Sequence, residues 1–270
     1  MSAARVFPAL MVAALTITVG FLVLPIAAIF LDTSPGELVS SLDDDAARDA
    51  LALSLQTSLT ALVLIVLIGT PAAWLLATRR FRGRAGLITL IELPLVVPPA
   101  VAGVGLLAAL GPAGLVGGGL EDAGLRLALE TAGVVVALVF VASPFYIRQA
   151  IAGFEAVDPV LLEASRTLGA SEAGTFLRVG VPVARGALVS GAALAWGRAL
   201  GEFGATLIFA GSFRGVTQTA PLAIYERFAT DFPAALALSA VLVIAAAALL
   251  LGVKVLTGPA ARSGFGDAAR

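Results

Sequence analysis

Asp158-Pro159-Val160-Leu161-Leu162-Glu163-Ala164-Ser165-Arg166-Thr167-Leu168-Gly169, followed after nine residues by Val179-Gly180-Val181-Pro182, is a polar, punctuated segment between two long apolar runs. Asp158 is a good N-cap and Pro159 suits a first helical position, so a short helix is expected from Pro159 to Leu168. Gly169 then supplies a left-handed turn. Ser171 caps a second helix running toward Val179, and Pro182 marks the start of the next apolar run. On the first helix Leu161, Leu162, Ser165 and Leu168 point to one side, while Glu163 and Arg166 lie three apart on another. A connection this long that keeps regular structure usually has a binding role.

Outward from this segment the chain is overwhelmingly apolar. Its 270 residues are 59% hydrophobic and 13% charged, with a mean hydropathy of +1.02. A soluble domain of this length needs more polar surface, so the class is membrane protein. A hydrocarbon core about 30 Å thick takes roughly 20 apolar helical residues. Six runs meet that length: 6–31, 50–78, 85–110, 127–147, 186–211 and 232–253. The first is too long for a signal peptide and lacks a small-x-small cleavage site after Leu31, so a retained helix is expected. The fold class is therefore all-α, a polytopic membrane protein with six transmembrane helices. One domain covers 1–270, with 150–182 as a loop within it, and a short disordered tail is expected after about Gly258.

Orientation follows the basic residues. With both termini in the cytoplasm, the inner segments carry Arg5, Arg79, Arg80, Arg82, Arg84, Arg148, Arg166, Arg178, Arg185, Lys254, Arg262 and Arg270. The outer loops carry only Arg48, Arg126, Arg214 and Arg227, beside the acidic Asp43-Asp44-Asp45 and Asp49. The Glu163 segment then faces the cytoplasm. The Arg79–Arg84 group reads as a topology determinant.

Within the spans charge is scarce. Glu92 is expected to pair with an arginine near the cytoplasmic surface. Arg198 and Glu202 are four apart, so they would share a helical face and pair. A self-neutralising structural pair and a cationic group exposed to a passing anion both fit. Gly197, Gly201 and Gly204 form a small-residue face that suits a dimer contact or a gate. Pro94, Pro98 and Pro99 interrupt the third run, and a packing kink or a break lining a pathway both fit. Gly117-Gly118-Gly119 reads as a flexible external loop.

The Glu163 segment resembles the coupling loop of binding-protein-dependent ABC importer permeases: Glu-Ala-Ala, three residues, Gly, nine residues, Ile-x-Leu-Pro. It matches at Glu163, Ala164, Gly169 and Pro182; Ser165 replaces Ala, and Val179 and Val181 replace Ile and Leu. The resemblance implies that Leu161, Leu162, Glu163, Ala164, Gly169 and Pro182 dock into a cytoplasmic ATPase. Trp196-Gly197-Arg198-Ala199-Leu200-Gly201-Glu202-Phe203-Gly204-Ala205-Thr206 and Thr217-Gln218-Thr219-Ala220-Pro221-Leu222-Ala223-Ile224-Tyr225 are similar to the oxyanion branch of that family. So is Leu93-Pro94-Leu95-Val96-Val97-Pro98-Pro99-Ala100-Val101-Ala102-Gly103, with molybdate and tungstate ahead of sulfate and thiosulfate. Arg198, Gly201, Glu202, Gly204 and Thr206 are the candidate pathway or gate residues.

The resemblance further implies an ATPase dimer, an external binding protein, a second copy of this chain and surrounding lipid; no nucleic acid is implied. No G-x-x-x-x-G-K-[ST] phosphate loop exists, and the single lysine, Lys254, lies in the last span, so ATP and Mg are expected on the partner. Histidine and cysteine are both absent, which removes the commonest catalytic base, nucleophile and metal ligands. No cofactor, metal or catalytic residue is expected, and a membrane enzyme is the weakest alternative. A sulfate or thiosulfate permease and an ATP-independent secondary transporter are the others.

Overall fold

The structure is a computed structural model, and it describes residues 3–256. The expected tail and Arg262 and Arg270 lie outside the described residues. Among the described residues every regular element is helical. In chain order these are α1 (Ala3–Leu31), α2 (Pro35–Asp43), α3 (Asp45–Thr78), α4 (Arg84–Val96), α5 (Pro99–Leu110), α6 (Gly117–Asp122) and α7 (Thr131–Glu155). There follow α8 (Pro159–Thr167), α9 (Glu172–Thr175), a π-helical turn (Phe176–Gly180), α10 (Val181–Leu200), α11 (Gly204–Ala210), α12 (Ala220–Thr230) and α13 (Phe232–Leu256).

The centre is a three-helix packing of α3, α7 and α10. Its buried residues are largely small: Ala61 and Ala73 on α3, Ala142 and Ala150 on α7, Ala184, Ala195 and Ala199 on α10. Lipid tails are as apolar as leucine, so helices in a membrane gain by close contact through small residues. Larger groups fill the remaining gaps. Tyr146, 1% exposed, shares a 2.6 Å hydrogen bond with Thr70. Trp74 meets Phe154 edge-on with ring centroids 5.2 Å apart. By contrast, α1 is exposed along its described side chains and touches principally α13, so in a membrane its apolar surface is left for lipid or another subunit.

Polar contacts sort the helix ends into two rims. At one rim Asp44 pairs with Arg227, Asp49 lies 3.5 Å from Arg214, and the Thr131 hydroxyl donates to the Val216 carbonyl at 2.7 Å. On the same rim α2 starts with a reciprocal cap between Ser34 and Glu37; the backbone bond from Ser34 holds the Glu37 carboxyl below its ordinary pKa. At the opposite rim Arg79 pairs with Glu172 and Arg84 with Glu155, and Arg148 Nε lies 3.1 Å from Glu92. The expected partner for Glu92 is thus Arg148. Because α3 and α7 both end at this second rim, they run parallel, and α4 and α5 together must carry the chain back across. Six crossings result.

Several expectations need correction. The third run is not a kinked helix: α4 and α5 meet at 116°. Pro98 follows Val97, and a residue before proline is pushed out of the helical region; both are extended, with ψ of 125° and 138°. The fifth run does not continue to Gly211. It starts earlier, as one helical rod over 172–200 including the π turn, and stops at Leu200. The fourth run, expected to be helical from 127, becomes α-helical only at Thr131, with Glu130 just before its first turn. Gly117, Gly118 and Gly119 open the short helix α6, so that glycine run is not a free loop.

Candidate functional site

At the rim holding Arg79 and Glu155, α8 forms as its punctuation predicts. The Asp158 carboxylate accepts from the Val160 amide at 2.9 Å, and Pro159 occupies the first turn. Gly169 has φ of +84°, a conformation costly for residues bearing a Cβ. Ser171 Oγ then accepts from the Gly174 amide at 3.1 Å and starts α9. Ser165 and the buried Thr175 share a hydroxyl contact of 3.1 Å, clamping α8 onto α9.

The helix is amphipathic, but not as its leucines suggest. Leu162 is half-buried against the α3/α7/α10 core, and Ser165 faces inward with it. Leu161 and Leu168 are 46% and 88% exposed, and Val160 and Ala164 are exposed beside them. An apolar stripe of Val160, Leu161, Ala164 and Leu168 therefore stands in solvent at the tip of the molecule. A patch of this kind marks a protein contact. Glu163 is exposed, and Pro182 sits exposed in the first turn of α10.

Between α8 and the bundle lies a cleft of roughly 480 Å³, lined by Arg80, Arg84, Glu155, Glu163 and Arg166 with Phe154 and Leu162 among its apolar walls. Glu163 and Arg166 both face it without pairing with each other.

A second polar region lies at the far end of α10, roughly 25 Å along the helix from Pro182 at 1.5 Å per residue. Gly201-Glu202-Phe203 breaks the backbone before α11. Arg198 Nη2 stands 2.6 Å from Glu202 Oε2, so the expected pair exists, but it bridges a helix end instead of lying on one helical face. Glu202 is 1% exposed; its Oε1 accepts from the Ala205 amide at 2.8 Å and caps α11. The other oxygen, Oε2, is held by charge alone, without an aligned hydrogen bond. Arg198 keeps 27% of its side chain exposed, which lets it reach a more polar environment than its partner.

The expected glycine face dissolves at this break. A Cβ on Gly204 would sit 2.9 Å from the Pro99 Cβ, while one on Gly201 would meet only its own helix and one on Gly197 would touch Leu249 at 3.9 Å. Gly204 instead belongs to a contact between broken spans: across the same seam a Cβ on Gly103 would fall 2.8 Å from Ile208 Cβ and 2.9 Å from the Ala205 carbonyl. The two half-helices α5 and α11 touch backbone to backbone, and both interruptions lie at this seam.

Buried hydroxyls gather on the elements around this second region. Thr206 is fully buried on α11, and its Oγ1 has no hydrogen-bond partner among the described residues; the same holds for Thr219. Ser54 accepts from the Ala220 amide at 2.7 Å, and Ser58 accepts from Trp196 Nε1 at 3.0 Å. Ser54, Ser58 and Ala61 recur on one side of α3, a spacing that marks a packed face of small residues. The contacts of Glu172 and Glu155 with Arg79 and Arg84 had no sequence signal, because the partners lie 93 and 71 residues apart.

The described residues thus form a multi-span helical bundle with an exposed apolar stripe at one rim and a polar helix break at the far end of α10. The chain belongs to the family of binding-protein-dependent transport system inner membrane components, whose model matches residues 65–258. It is thus a multi-pass membrane component of a transporter and not an enzyme. It is 43% identical over 240 residues to the molybdenum transport system permease protein ModB of Mycobacterium tuberculosis, covering 86% of this chain and 88% of that one. It is 32% identical to the sulfate transport system permease protein CysW of Synechocystis, covering 83% and 84%. Among solved structures, a chain of a bacterial alginate ABC transporter, crystallised with a periplasmic protein bound to an alginate pentasaccharide, superposes with a TM-score of 0.75 over 94% of both chains. Its identity of 14% makes this a likeness of fold alone.

Proposed function

We propose that this chain is the membrane half of an ATP-driven importer of a tetrahedral oxyanion, with molybdate or tungstate as cargo. The observation that carries the substrate class is the 43% identity, over nearly the whole chain, to a permease named for molybdenum transport. The weaker match to a sulfate permease, at 32% over a similar span, supports the runner-up.

In this reading the exposed stripe of α8 docks into a separate ABC ATPase that carries ATP and Mg. Leu161 and Ala164 provide contact, Leu162 anchors the helix from behind, Glu163 flanks the dock, Gly169 sets its turn and Pro182 its exit. Two ATPases require two docking helices, so a homodimer of this chain is the simplest assembly, with the pathway along its axis. An external binding protein delivers the anion at the opposite rim. Arg198, Glu202, Gly201, Gly204 and Thr206 form the gate region. A pathway that must release its cargo binds it weakly, so affinity belongs to the binding protein.

Reconstituted with its ATPase and binding protein, the complex should hydrolyse ATP faster when the binding protein carries molybdate. Free molybdate without that protein should do little. Stimulation by the sulfate-loaded form alone would move the assignment to the runner-up. Transport that persists without ATP would remove the importer reading.

A further inference from the structure

We propose that the cleft behind α8 is a binding site for a phosphate-type tetrahedral oxyanion, either the headgroup of an anionic phospholipid or a free anion of the same chemistry. It goes beyond the transport reading and needs neither the cargo nor the ATPase. The cleft measures roughly 480 Å³, inside the range of about 300–1,000 Å³ typical of small-molecule sites. Its charges do not cancel. Arg84 is neutralised by Glu155 and also donates from Nε to the Leu76 carbonyl. Arg79 turns away to Glu172. Arg80 and Arg166 have no ion-pair partner among the described residues, and Glu163 is the only unpaired acid in the lining. One net positive charge is left over, which a monoanion would balance.

Two guanidinium forks from different elements suit the paired oxygens of a phosphate. Arg80 lies two residues past the end of α3, so the cleft opens where that apolar span ends. Basic pockets between helices on the cytoplasmic side are where anionic headgroups bind. Phe154, Val157, Pro159 and Leu162 give the non-phosphate part of a lipid an apolar wall. An occupant held by both arginines would tie the α3–α4 connection to α8 and so fix the pose of that helix.

The full-length chain in nanodiscs of phosphatidylcholine, with or without phosphatidylglycerol, tests this by native mass spectrometry of retained lipid. The wild type should retain phosphatidylglycerol preferentially. Arg80→Gln and Arg166→Gln should each weaken retention roughly tenfold or more, the effect of losing a hydrogen bond between charged groups. Glu163→Gln should strengthen it. Arg82→Gln serves as the control, because Arg82 is equally basic and exposed but does not line the cleft. The Arg80→Lys/Arg166→Lys double variant keeps the charge and should keep part of the retention, which covers the case where the neutral variants fail to insert. In a second arm, inorganic phosphate is titrated in phosphatidylcholine alone while thermal stability is followed. A saturable rise that Arg80→Gln abolishes, with no lipid preference, supports the site with a free anion as its occupant. Equal losses from Arg80→Gln and Arg82→Gln would show a diffuse surface effect and overturn the proposal. So would a wild type that neither retains phosphatidylglycerol preferentially nor responds to phosphate.

Discussion

Glu202 is 1% exposed and Arg198 27%, so the two halves of this ion pair are not equivalent. Removing the arginine leaves a carboxylate in an apolar bundle with one backbone donor, Ala205, for company. Removing the charge of Glu202 while keeping its oxygen leaves an arginine that still reaches outward. Arg198→Gln should therefore cost about 3 kcal/mol or more, the scale for breaking a buried pair, and Glu202→Gln clearly less. In a double-mutant cycle on thermal stability the double variant should cost less than the sum of the singles; strict additivity would show that the two do not interact. The seam beside them is equally specific. Gly103→Ala places its Cβ against the Ala205 carbonyl and Gly204→Ala against Pro99, so both should spread α5 from α11 and lose about 1–3 kcal/mol. Gly201→Ala meets open space beyond its own helix and should be close to neutral. If the thermal midpoints of all three match, the tight seam is not real.

Helices whose ends carry their own chemistry were legible. Asp158, Pro159 and Gly169 act on neighbours within four residues, so α8 follows from the sequence almost to the residue. The break after Leu200 was not legible, because Gly201-Glu202-Phe203-Gly204 contains no proline and both flanks are apolar; it is imposed by the cap of Glu202 on α11 and by the fit of Gly204 on Pro99. The π turn at Phe176–Gly180 likewise has no local signature, and its one ring, Phe176, leans on Trp74 and Phe154 from distant helices. On α8 the helix was legible but its facing was not: hydrophobicity put Leu161, Leu162 and Leu168 together, while burial separates Leu162 from the other two. The turn that ends α8 is set by Gly169. A Cβ there meets nothing within 4 Å, so only the left-handed backbone resists substitution. Gly169→Val should strain the turn by about 1–2 kcal/mol and reduce co-purification with the ATPase, while Gly169→Asn, which tolerates that region, should keep most of it. Equal co-purification of both variants with wild type would separate α8 from docking.

Across the whole molecule, the positive-inside pattern and the ion pairs were independent sources, and they agree. The basic count assigns Arg79, Arg84 and Arg148 to one side and Arg214 and Arg227 to the other, and the pairs Arg79–Glu172, Arg84–Glu155, Asp49–Arg214 and Asp44–Arg227 draw the same two rims. Among the described residues, the 116° break between α4 and α5 is the one place where the topology could invert. If that pair were a re-entrant hairpin returning to its starting side, α7 would run antiparallel to α3, and Glu155 could not reach Arg84. The chain has no cysteine, so single introduced cysteines read the topology without background. Thr167 on α8 and Ala123 after α6 are both exposed and outside the apolar spans. With the rim of α8 facing the cytoplasm, an impermeant thiol reagent applied to intact cells should label Ala123→Cys at once. Thr167→Cys should stay unlabelled until the membrane is permeabilised. Labelling of both from outside would mean that α7 does not cross between them. Labelling of Thr167→Cys alone would make α4–α5 re-entrant or the whole molecule inverted, and either outcome puts α8 out of reach of any cytoplasmic ATPase.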